Sequence, residues 1–132
     1  MTLRGHTWRC LFVSAVALLA AALAILPDLD HALRLKTAAC TAAALAGGFL
    51  VAQWLAGRDP LRPSGDLEMA ALAPPVAGVA MMTLWLPVLL ALAVVVLRTL
   101  GAEPVRVSWE LIVIGGLAGQ HAFGAWSFRG GR

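Results

Sequence analysis

The order of apolar and polar positions divides the chain into four long uncharged runs. Arg9 and Asp28 bracket the first, Lys36 and Arg58 the second, Glu68 and Arg98 the third, and Glu110 and Arg129 the fourth. Each reaches or nearly reaches the roughly 18–20 apolar residues that cross about 30 Å of hydrocarbon at about 1.5 Å per residue. None alternates in the manner of a barrel strand, and lipid offers an open backbone no hydrogen-bond partners. Helices are therefore the predicted spanning form.

Start and stop residues set the approximate bounds. The first helix is predicted over about 8–26, closed by Pro27 and the acidic pair Asp28 and Asp30. The second covers about 31–56, with Asp30 as N-cap and Gly57, Asp59 and Pro60 as its end. The third covers about 76–100, between "APPVAG" and Gly101. The fourth covers about 108–128, with Ser108 as N-cap and Trp109 and Glu110 in the first turn. The intervening loop, 57–75, is the only extended polar segment, and within it Asp66–Ala73 has the composition of a short interfacial helix. The expected fold is an all-α membrane protein, one polytopic domain of four transmembrane helices in an up-down antiparallel bundle.

Composition agrees with this. Of 132 residues, 61% are apolar and 13% charged, against roughly 45–50% and about 25% in soluble domains. A chain this short could not hide so much apolar surface in one water-soluble core. Arg4 and Arg9 before an apolar run also suit a secretory signal, with Ala22–Ala24 as a cleavage site. The run exceeds the usual apolar core of such signals and a second span follows at once, so a retained helix is expected.

Charge changes the picture only slightly. Arg4, Arg9, Arg58, Arg62, Arg129 and Arg132 fall on the N-terminal side of the predicted spans, and Arg34, Lys36, Arg98 and Arg106 on the other. The excess of basic residues favours both termini in the cytoplasm of a bacterial inner (plasma) membrane, with Arg34 and Lys36 snorkelling to the interface. The net charge of +3 is spread over both sides rather than gathered on one face. This argues for contact with the lipid bilayer and against nucleic acid.

Candidate chemistry is sparse. Cys10 and Cys40 lie at different predicted depths, so no disulfide joins them, and neither has the Cys-x-x-Cys spacing of a zinc or redox pair. His6 and His31 are expected outside the membrane on opposite sides, which leaves His121 without a partner for a metal or haem. No cofactor and no metal is expected. There is no Ser-His-Asp set, phosphate-binding glycine loop or carboxylate pair within a span.

What remains lies on the fourth helix. Gly115 and Gly119 form a Gly-x-x-x-Gly, and Gly115, Ala118, Ala122 and Ala125 follow a strip at spacings of three, four and three. Such strips let backbones approach closely in lipid, where apolar burial gives no drive for association. At about 100° per residue, Glu110 and His121 share a line beside that strip, with Gln120 a quarter-turn away. Glu110 and His121 are separated by about 16 Å along the axis. They cannot pair, but with Gln120 they mark a candidate polar path. Glu110 is also suited to the water boundary at its helix start. The expected function is that of a non-enzymatic accessory or scaffold subunit, in contact with other membrane subunits or with copies of itself. The alternative is a small oligomeric transporter or channel for an ion or small solute, with its path near His121.

Overall fold

A computed structural model describes residues 1–58 and 64–128. It contains four long helices: α1 (Leu3–Ile25), α2 (His31–Arg58), α3 (Pro74–Thr99) and α4 (Pro104–Phe128). Each is long and apolar enough to cross a membrane. Short 3-10 turns at Leu26–Asp28 and Met69–Ala71 complete the described secondary structure. Arg62, Arg129 and Arg132, used above to weigh orientation, and the expected helix terminators Asp59 and Pro60 lie outside the described residues.

Local chemistry explains where the helices begin. α1 starts at Leu3 rather than near Trp8, because the Thr2 hydroxyl accepts a hydrogen bond from the Gly5 amide (3.2 Å) and closes the first turn. This draws Arg4, His6 and Arg9 into the helix. α2 opens as expected, with Asp30 Oδ1 accepting from the Leu33 amide at 2.8 Å. α3 and α4 both open on proline, whose missing N–H costs nothing at a first helical position. Ser108 is therefore not the N-cap of α4; it lies in the second turn and donates to the Val105 carbonyl at 2.8 Å. Gly101, at φ 93°, takes the left-handed conformation that ends α3. The Asp66–Ala73 stretch forms only the 3-10 turn Met69–Ala71, not a longer helix.

The helices pack unequally. α4 lies between α2 and α1, α3 rests on α1 and touches α4, and α2 leans chiefly on α4. Antiparallel packing of α1 on α4 is marked at one end by Arg4 Nε donating to the Phe128 carbonyl (2.7 Å) and by Thr7 against Gly124. α1 and α3 run in the same direction, since His6 meets Ala80 at one end and Asp28 meets Arg98 at the other. α2 and α4 also run in the same direction, with Thr41 on Gly115 and Leu45 on Gly119. An apolar cluster of Ala17, Ala21, Ile25, Leu29, Ala91, Val94, Val107, Leu111 and Ile114 fills the half of the bundle toward the ends of α1 and α3.

Both ends of α1 are tied down. At its C-terminal end Arg34 donates to the carbonyls of Leu26, Pro27 and Leu29 (3.0–3.3 Å). Arg98 donates to those of Ala24 and Ala102 and pairs with Asp28. These guanidiniums meet carbonyls that a helix end leaves without intrahelical partners. Arg34 is thus a capping residue. At the other end the Leu3 and Arg4 amides donate to the carbonyls of Leu67 and Gly65 (2.7 and 2.9 Å), and Arg4 pairs with Asp66 at 2.9 Å. Replacing Arg98 by Ala removes an ion pair and two caps at a partly exposed site. We expect a loss of about 1–2 kcal/mol in unfolding free energy measured in mild detergent, and less from Arg98→Lys.

Candidate functional site

The buried stripe of α1 runs His6, Cys10, Ser14, Ala17, Ala21, Ile25, at spacings of four, four, three, four and four. This is one helical face, polar in its first half and apolar in its second. His6 is 5% exposed, Cys10 2% and Ser14 not at all. His6, expected outside the membrane, is a buried residue of α1. With α1 beginning at Leu3, His6 falls one turn before Cys10 on the inward face.

A hydrogen-bonded group forms around it. His6 Nε2 is 2.8 Å from the Ala80 carbonyl of α3, which can only accept, so that nitrogen carries the proton. The Cys10 sulfur lies 3.4 Å from the same nitrogen and 4.0 Å from the Thr83 hydroxyl, which itself donates to Ala80 at 2.7 Å. His121 enters from α4. Its Nδ1 is 2.5 Å from Ser14 Oγ, and the Cys10 backbone hydrogen-bonds the same ring. Five polar side chains from three helices thus satisfy one another, as buried polar groups must. A hydroxyl shared with an imidazole is also the pairing of nucleophile with base. Ser14 is wholly enclosed, however, and a nucleophile must meet its substrate, so the pair acts here as a bond between α1 and α4.

The other two members of the expected polar path lie elsewhere. Gln120 is exposed on the outer surface of α4. Glu110 is not in the first turn of its helix: with α4 starting at Pro104 it sits in the second turn, 6% exposed, and its Oε2 has no hydrogen-bond partner among the described residues. Ile114 stands one turn from Glu110 toward His121 and is fully buried beside Ala17 and Ala21. An apolar layer therefore separates the imidazole from the carboxyl.

The small residues of α4 divide between neighbours. A Cβ on Gly119 would lie 1.9 Å from the Leu45 carbonyl oxygen, and one on Gly115 would lie 3.0 Å from both Thr41 Cγ2 and its carbonyl oxygen. Ala118 and Ala125 are buried and Ala122 half-buried. Gly48 of α2, not singled out from the sequence, meets Gly116 so closely that its Cβ would lie 2.1 Å from the carbonyl oxygen. Its signal was present as Ala44-x-x-x-Gly48. Below this contact Phe49, Phe123 and Trp126 stack at ring separations of 5.4–6.2 Å.

Two open grooves flank the bundle and both are apolar. One, of about 310 Å³, runs between α1 and α3 past Phe12, Val16 and Ala91; the other, of about 270 Å³, runs between α1 and α2 past Leu18, Thr41 and Leu45. Both cysteines are free, Cys10 buried and Cys40 exposed. Among the described residues no three His, Cys, Asp or Glu side chains converge as metal ligands.

In comparisons with known proteins, no family model, no curated protein and no solved structure matches this chain. The class its own features define is an all-helical protein whose four helices are apolar enough to span a membrane, joined by glycine-to-backbone contacts and one buried polar group.

Proposed function

We propose that the chain is a non-enzymatic accessory or scaffold subunit of a membrane complex. In this reading its four helices cross a bacterial inner membrane in alternating directions, with both termini cytoplasmic. The observation that carries the reading is Gln120. Its amide is exposed on the outer surface of α4, about 12 Å from the helix end at Phe128 by rise per residue, which in this reading is hydrocarbon depth. An amide facing lipid lacks hydrogen-bond partners, and a neighbouring transmembrane helix supplies them at about 0.6–2 kcal/mol. The outer faces of α2, with Leu50, Val51, Trp54 and Leu55 exposed, extend the same apolar surface.

The test is gentle extraction followed by native mass spectrometry. Foreign membrane subunits should accompany the wild-type chain in fixed ratio, and Gln120→Leu should weaken that association without lowering abundance. A defined homo-oligomer that carries no foreign subunit would overturn the reading. A second reading, a small oligomeric transporter or channel, draws on the buried group around His121. The apolar layer at Ile114, Ala17 and Ala21 would then have to open. His121→Ala should abolish flux at unchanged abundance if this second reading holds.

A further inference from the structure

We propose that Glu110 is a proton-binding site inside the membrane segment: a carboxyl taken into the bundle as the neutral acid, which exchanges its proton with the aqueous phase beyond the α3–α4 connection. The inference does not depend on whether the chain serves a partner or moves a solute. Three features of the structure converge on it.

The first is burial without a partner. Glu110 is 6% exposed, and its Oε2 makes no hydrogen bond among the described residues. An ionised carboxylate here would keep one oxygen from both water and any hydrogen-bond donor and would lack a paired counter-charge, whereas the acid form removes the charge altogether.

The second is that no nearby cation pairs with it. The charged and titratable groups at this end of the bundle are Asp28 after α1, Asp30, His31, Arg34 and Lys36 at the start of α2, Arg98 on α3, and Glu103 and Arg106 near the start of α4; Lys36 and Arg106 are exposed and form no ion pair among the described residues. Arg98 pairs with Asp28 and caps Ala24 and Ala102, and Arg34 caps Leu26, Pro27 and Leu29. Glu110 joins no ion pair among the described residues. The apolar cluster beside it, with Val107, Leu111 and Ile114 from α4 and Ile25 and Val94 from α1 and α3, contributes no charge.

The third is position. Glu110 follows the first residue of α4, Pro104, by about 9 Å along the axis, which leaves a short route to water on one side. The apolar layer at Ile114 closes the other. A carboxyl open to protons from one side and sealed from the other is the arrangement of a proton station.

Infrared difference spectroscopy of the full chain in lipid vesicles at neutral pH tests this. Wild type minus Glu110→Gln should show the carbonyl band of one protonated carboxylic acid per chain, and transfer to heavy water should shift that band as O–H becomes O–D. Carboxylate bands in place of the acid band would overturn the proposal. An acid band unmoved by heavy water would overturn the exchange. Should the Gln variant fail to insert, carbon-13 glutamate in the wild-type chain answers the same question. The chain has only two other glutamates, Glu68 and Glu103, and Glu68 is exposed and paired with the Met1 amino group. A labelled acid band at neutral pH supports the proposal, and its absence overturns it.

Discussion

Gly119→Ala is expected to part α2 from α4. The new Cβ would stand 1.9 Å from the Leu45 carbonyl oxygen and 2.9 Å from the Phe49 amide nitrogen, and backbone atoms cannot swing aside as a side chain can. The helices must separate by more than about an ångström, which forfeits the van der Waals contacts between their backbones. The cost should reach or exceed the roughly 1–3 kcal/mol usual for overpacking. Gly48→Ala should behave alike, since its Cβ would lie 2.1 Å from the Gly116 carbonyl oxygen. Gly47 supplies the control one residue away: nothing stands within 4 Å of its Cβ position. Gly47→Ala should be neutral or stabilising by up to about 1 kcal/mol through helix propensity. Unfolding midpoints in mild detergent decide the matter, and equal midpoints for the Gly47 and Gly119 variants would show that close approach does not hold α2 in place.

The second large effect concerns Ser14 and His121. His121→Leu leaves a wholly buried hydroxyl facing hydrocarbon and removes the polar bond from α4 to α1. A loss of roughly 1–3 kcal/mol is expected, because a buried polar group without its partner costs more than a made hydrogen bond contributes. Adding Ser14→Ala should restore part of that loss, with a coupling of about 0.5–2 kcal/mol in a double-mutant cycle. Additive effects would mean that the two side chains do not share a bond. Gln120→Leu, the adjacent position on the exposed face, should leave the stability of the isolated chain within about 0.5 kcal/mol.

His6 shows why the buried polar group was hard to read from sequence. Arg4 and Arg9 flank it and suggest water, yet the helix starts before all three and turns only every fourth residue inward. The spacing of His6, Cys10 and Ser14 at four and four, continued by Ala17, Ala21 and Ile25, is the signal that would have found it. Glu110 was misplaced for a related reason. Ser108 has the chemistry of a cap, but Pro104 supplied the start, and four further residues carried Glu110 from the boundary into the bundle. Arg34 had the character of a lipid-facing charge until the chain reversal at Leu26–Asp28 brought the α1 carbonyls to it.

The sequence by itself determined four apolar helices, their connection order, the cap at Asp30 and the strip of small residues on α4. These follow from local composition and from the period of the helix, which do not require a neighbour. Only the tertiary structure decided that Gly119 and Gly115 meet α2, that His121 meets Ser14, and that Glu110 is buried with its Oε2 unpartnered among the described residues. Those outcomes depend on how four similarly apolar helices are rotated and paired. In a bilayer the apolar pattern leaves that choice to backbone proximity and to a few hydrogen bonds, which no single helix carries alone.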